Sequence, residues 1–149
     1  MIHLIKSDQT ITPTTLEEVL SRSSYTLLYF YPKNDTPGCT LEAQDFTKLA
    51  SEFAKKWIHI VWVSKDSPES HCKFISKHQL SPSYISDPDL ELHTKFATRW
   101  EKNNYGKIVM WVIRSTFLLD KDWEEVYSWR SIRATGHADR VLKWVWENL

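Results

Sequence analysis

Two stretches, Tyr25–Tyr31 and Trp57–Val63, are hydrophobic almost throughout and read as strands, the first of them central in its sheet. Between them Phe46, Leu49, Ala50, Phe53 and Trp57 recur at helical spacing, which predicts a helix from about Thr40 to Lys56 with those residues inward. Upstream, residues 1–13 lack an apolar pattern and read as a loose or edge strand. Thr14-Thr15-Leu16-Glu17 then predicts a capping box with Thr14 as N-cap, opening a short helix with Leu16, Val19 and Leu20 on its inner face. Ser67-Pro68-Glu69 starts another helix, with serine as cap and proline at the first helical position. It carries Cys72, Phe74 and Ile75 and fades near Gln79. Ser86–Asp89 is a turn or a further helix start, and the polar segment Trp100–Lys107 reads as a loop. Ile108–Ile113 and Thr116–Leu119 are strand-like, Asp120-Lys121-Asp122 is a hairpin turn, and Val126–Trp129 returns. A last helix presents Ala138, Val141, Leu142, Val145 and Leu149 on one face. This order of strands and helices implies an α/β fold, one domain over residues 1–149, with a central mixed sheet covered by helices on both faces.

Composition narrows the function. With 149 residues and 42% hydrophobic content, the chain can bury a sizeable core. Basic and acidic residues balance at 19 each, which offers no support for nucleic-acid or anionic-membrane partners. The amino terminus does not read as a signal peptide, and no apolar run approaches the roughly 20 residues of a membrane span, so the cytoplasm is the expected compartment. Cys39 and Cys72 lie 33 positions apart, too far for a Cys-x-x-Cys pair. His71, Cys72 and His78 are the nearest approach to a metal-ligand group, but they fall short of the usual ligand count, and no metal or cofactor is expected. Eight tryptophans point to a heavily aromatic core, with some surface left over.

The chemistry concentrates at Cys39. The strand ending at Tyr31 is broken by Pro32, Pro37 and Gly38, and a helix begins at the cysteine. First-turn N–H groups lack intrahelical partners and carry partial positive charge, which favours a thiolate, the reactive form of cysteine. Thr36 can offer a hydroxyl to the sulfur or to an incoming oxygen. A reactive cysteine also needs partial exposure and a fixed cation. Arg114, between two strand-like runs, is the candidate to reach across. The plainer alternatives are a cysteine serving as a small buried hydrophobe and an arginine in a surface ion pair. Against the first, Cys39 sits in a polar loop rich in proline and glycine.

Pro32-x-x-x-Thr36-x-x-Cys39 resembles the peroxiredoxin signature, and Tyr29–Ala43 as a whole is similar to the peroxiredoxin Q, or bacterioferritin comigratory protein, subfamily. The likeness continues through Ser64–His71, Ile85–Pro88, Arg114–Asp120 and Gly136-His137-Ala138. It implies a thioredoxin-like fold and reduction of hydrogen peroxide or organic hydroperoxides, with recycling by thioredoxin or a similar thiol reductant. It further implies Cys39 as the peroxidatic cysteine, Thr36 as the peroxide-binding hydroxyl, Arg114 as the activating cation and Pro32 as the pocket shield. By the same likeness Glu42 is the carboxylate that holds the arginine, and the protein is a monomer. The chain departs from the pattern at Gln44, where many members carry the resolving cysteine. Cys72 lies in the helix that bears this cysteine in other members, and resolution by Cys72 or by a separate thiol both stay open. The amino terminus lacks the Ala-Pro-Asp-Phe segment, and Trp123 stands where the hairpin usually has glycine. A thioredoxin-type disulfide oxidoreductase would want Cys-x-x-Cys and a proline at Ser115, and both are missing. A non-catalytic redox sensor or binding module on the same scaffold is the remaining alternative.

Overall fold

The structure, a computed structural model, describes residues 2–130 and 135–149, with the backbone alone described at 99–104 and 108–111. Among the described residues nine strands and five helices run in the order β1 (Ile2–Ile5), β2 (Ile11–Thr14), α1 (Leu16–Leu20), β3 (Tyr25–Phe30), α2 (Pro37–Ala54), β4 (Ile58–Ser64) and α3 (Pro68–His78). They continue through β5 (Ser83–Ser86), α4 (Glu91–Lys95), β6 (Arg99–Asn104), β7 (Lys107–Val112), β8 (Ser115–Asp120), β9 (Glu125–Trp129) and α5 (His137–Asn148). Seven strands form one sheet in the order β2-β1-β5-β4-β3-β8-β9, and β6 and β7 pair separately as a hairpin. β3 is parallel to β4 and antiparallel to β8, so the sheet is mixed.

β3 lies inside the sheet and is covered on both faces, which is why its sequence is apolar without alternation. Side chains still alternate in direction. Leu27, Tyr29 and Tyr31 pack with Phe46 and Phe53 of α2, Phe74 and Ile75 of α3, and Val141 and Val145 of α5. Leu28 and Phe30 pack on the other side with Val19 and Leu20 of α1 and Leu92 of α4. The long helices therefore share the Tyr29 face, and that face receives the functional loop.

Several expectations shift, each for a local reason. The amino-terminal segment forms two paired strands within the sheet, and Leu4 and Ile5 are fully buried. Its pattern is weak because only β1 faces the core, while β2 is an exposed edge. The α1 cap falls one residue later than expected. The Thr15 side chain accepts from the Glu18 N–H, and the Thr14 hydroxyl donates to the Glu18 carboxylate. Trp57 lies on neither the α2 face nor β4. It sits in the connection between them with φ +61°, 73% exposed. The polar run expected as a loop at 100–107 is instead strand β6 with its turn into β7, since a hairpin outside the main sheet needs no apolar face. β5, unremarked in the sequence, pairs between β1 and β4. Among the described residues no helix is long and apolar enough to cross a membrane.

Candidate active site

Thr36 is the N-cap of α2, Pro37 takes the first helical position, and Cys39 is the third helical residue. Proline there costs no hydrogen bond, because its N–H would have been unpaired in any case. The Thr40 N–H already reaches the Thr36 carbonyl at 2.8 Å, so the first turn is closed at the cysteine.

The β3–β8 register explains how Arg114 arrives. Phe30 pairs with Ser115 and Tyr29 with Thr116. Arg114 precedes Thr116 by two residues and so projects to the same face as Tyr29, toward α2. One guanidinium nitrogen donates to the Cys39 sulfur at 3.3 Å, and the other donates to the Tyr29 hydroxyl at 2.8 Å. Burial works against the guanidinium charge, but Tyr29 and Cys39 outweigh it and hold the pKa above its ordinary value. Burial pushes the Tyr29 hydroxyl far above the ordinary tyrosine range, so it stays neutral.

The expected partial exposure of Cys39 is not found, for the residue has no solvent-accessible surface. It is the inward position of the first α2 turn and belongs to the same buried cluster as Tyr29, Tyr31, Phe46 and Tyr84. Thr36 is half-buried, and its hydroxyl donates to the Lys33 carbonyl at 3.1 Å rather than to the sulfur. Pro32 is half-buried at the exit of β3. Glu42, one turn after Cys39, is fully buried, and among the described residues neither carboxyl oxygen has a hydrogen-bond partner. Burial raises its pKa to about 8, against weaker opposing pulls from Arg114, Arg140 and the nearby His137 N–H. The described bonds of Arg114 thus run to Tyr29 and Cys39, and Glu42 acts on it through space.

Cys72 lies elsewhere. Its thiol donates to the Gln9 carbonyl in the β1–β2 turn at 3.7 Å, and both cysteines are free. Burial, aided by the Glu69 carboxylate, pushes its pKa up. The preceding residue, His71, points to the loop. The His71 Nδ1 is 3.1 Å from the Asn34 side-chain nitrogen and 3.3 Å from the Tyr31 hydroxyl, which donates to the Asn34 side-chain oxygen Oδ1. The Asn34 side chain also reaches the Ser70 hydroxyl, and its backbone N–H donates to Asp66. Burial drives the His71 pKa down to about 4, so the ring is neutral. His71, Cys72 and His78 thus do not converge, since His78 pairs with Asp35. Among the described residues no group of three His, Cys, Asp or Glu side chains is placed to hold a metal.

Sequence reasoning missed Tyr29 and the Tyr31–Asn34–His71 network. The signal for Tyr29 was its alternation with Tyr31 along a strand whose inner face meets α2.

A thioredoxin-like sheet with a cysteine at a helix start and an arginine on its sulfur defines a class of thiol enzymes. Comparison with known proteins narrows that class. Residues 3–126 match the model of the AhpC/TSA family, and the chain belongs to that family as a peroxiredoxin. It is 44% identical over 131 residues to Peroxiredoxin Bcp of Xanthomonas campestris, covering 88% of this chain and 81% of that one. It is 40% identical over 122 residues to Peroxiredoxin Bcp of Bacillus subtilis, covering 82% and 78%. The solved structure of Xanthomonas campestris Peroxiredoxin Q superposes with a TM-score of 0.85 at 40% identity, over 98% of this chain and 90% of that one. A further structure of the Xanthomonas protein, also at TM-score 0.85 and 40% identity over 97% and 90% of the chains, is described as a trapped intermediate/ligand complex bearing on alkyl peroxide reduction.

Proposed function

We propose that this thiol peroxidase reduces hydrogen peroxide and organic hydroperoxides with Cys39 as the nucleophile, and that a thioredoxin-like dithiol recycles it. The observation that carries the reading is the Arg114 guanidinium on the Cys39 sulfur at the entrance of α2. The thiolate attacks one peroxide oxygen, the O–O bond breaks, and the second oxygen leaves as hydroxide or alkoxide and takes up a proton. Negative charge moves from sulfur to the leaving oxygen along that line. Arg114 and the first-turn N–H groups stand where this charge develops, and Thr36 joins them once its hydroxyl turns from Lys33. Because the sulfur is covered in this conformation, the Pro32–Thr36 loop opens to admit substrate and closes behind it.

Cys39 becomes a sulfenic acid, which a second thiol displaces with loss of water to give a disulfide. We assign this step to Cys72. A disulfide needs Cα atoms within roughly 7 Å, so the start of α2 and the first turns of α3 rearrange before the bond forms. A free thiol of the reductant is the competing route. The protein acts as a monomer in the cytoplasm.

Stopped-flow mixing of the reduced protein with peroxide tests the reading. The wild type consumes peroxide and Cys39→Ser does not, and full activity in the variant would overturn the assignment. Mass spectrometry after one equivalent of peroxide decides the resolving step. A Cys39–Cys72 disulfide supports the assignment, and a persistent Cys39 sulfenate removes Cys72 from the cycle.

A further inference from the structure

The amino-terminal ends of β3 and β4 lie at the pole of the sheet opposite Cys39, which follows the carboxyl end of β3. A cavity of about 460 Å³ opens there, among the β1–β2 turn, the end of α1, the end of α2 and the start of β5. Its charged groups are all of one sign. Lys6 and Arg22 both line it, no carboxylate does, and neither cation forms an ion pair within 4 Å among the described residues.

His59 lines the same cavity. Its Nε2 lies 2.9 Å from the Ser83 hydroxyl, while Nδ1 is enclosed and has no partner. Burial first, then the charges of Arg22 and Lys6, lower the pKa of His59. Both cations and the ring border the same space. Three nitrogen-bearing groups thus converge on one space, and one enclosed ring nitrogen is left without a partner.

The rim supplies a flat surface. Trp57 projects 73% of its surface to solvent from a left-handed backbone, an arrangement that is unfavourable for a bulky side chain. Among the described residues its ring stacks on no aromatic partner and carries no cation. An indole held beside two cations is the combination that takes a planar base on one side and a phosphate on the other. A phosphate dianion suits the pair better than a single carboxylate, since the Arg22 fork and the Lys6 ammonium each have several donors. The volume falls within the range of small-molecule sites.

We propose that this cavity binds a nucleoside phosphate, with the phosphate between Lys6 and Arg22 and the base against Trp57. The proposal is independent of the thiol chemistry at the other pole, so its failure would leave that reading standing.

Isothermal titration of the full chain with AMP, adenosine and inorganic phosphate tests it. AMP binds more tightly than either fragment, and the double variant Lys6→Gln/Arg22→Gln weakens it by roughly tenfold or more, as loss of charge-assisted contacts requires. Trp57→Ala weakens AMP by a smaller factor and leaves inorganic phosphate unchanged. No AMP binding, or equal binding to wild type and double variant, overturns the proposal. Equal affinity for AMP and phosphate, with no effect of Trp57→Ala, overturns the aromatic half and therefore the ligand class. Thermal unfolding of each variant establishes that it is folded before its titration is read.

Discussion

The two ends of β3 are built on opposite plans. At the carboxyl end the sulfur is covered, its cation is bonded on both sides, and the adjoining loop is tied through Asn34 to α3 and Asp66. At the amino end two cations and a tryptophan face an open cavity with no carboxylate among them. On the chemistry proposed for Cys39, the closed end is organised in advance for charge that appears only during reaction, so its donors are already aimed and little has to reorient. It must loosen to admit substrate. The open end needs no movement to be filled, but its cations repel one another until something anionic arrives.

The contrast can be broken most severely at Arg114. Arg114→Met leaves the covered sulfur without its cation, and kcat/KM for peroxide should fall by about 10²–10³, the usual effect of removing one donor from a developing charge. Stopped-flow kinetics reads this directly, and a loss under about threefold would mean that the helix start alone suffices. Asn34→Ala cuts the ties from the loop to Ser70 and His71 and leaves buried polar groups unpaired, at a cost of about 1–3 kcal/mol in urea unfolding. It should also raise the exposure of Cys39 to alkylating reagents, which a purely global destabilisation would not do at low denaturant.

Glu42 sharpens the comparison through pH. Its folded pKa, about 8, lies above the ordinary value of 4.5, so the folded state holds the proton more tightly. The stability contributed by this group is full below about pH 4.5 and is lost as the pH rises through about 8. Glu42→Gln should flatten that decline, measured as the denaturation midpoint at several pH values. His71 and His137 run the other way, because their pKa values are lowered to about 4 and about 3. Their stability is present above pH 6.5 and lost as acid titrates them, and this acid limb should survive in Glu42→Gln. The smallest effect belongs to the open end. Trp57→Gly relieves a left-handed backbone at an exposed site and should be neutral to stabilising by about 1 kcal/mol in urea unfolding.

Much of this architecture was readable before any coordinates. α3 is marked by its serine–proline start, α5 by its apolar helical face, and β3 and β4, covered on both faces, each by an unbroken apolar run. The Cys39 loop stands out because prolines and a glycine interrupt one. β6 was hidden because its pairing lies outside the main sheet and demands no apolar face. Trp57 continued the α2 spacing by coincidence, since its own left-handed backbone lies beyond the end of the helix. At the site, Cys39 and Arg114 could be named from the sequence, but the burial of the sulfur could not. That burial belongs to a core assembled from residues of β3, α2, α3, β5 and α5 that lie far apart in the sequence. The Asn34–His71 tie was invisible for a related reason, because polar residues far apart in sequence leave no periodic trace.

The alignment of Phe30 with Ser115 has a genetic consequence. Strand side chains alternate, so adding one codon between Arg114 and Ser115 would turn Arg114 toward the α1 and α4 side while the remainder of the strand pairs as before. Such a lesion would yield a soluble, nearly full-strength scaffold with an idle thiol, and a screen for abundance alone would pass it.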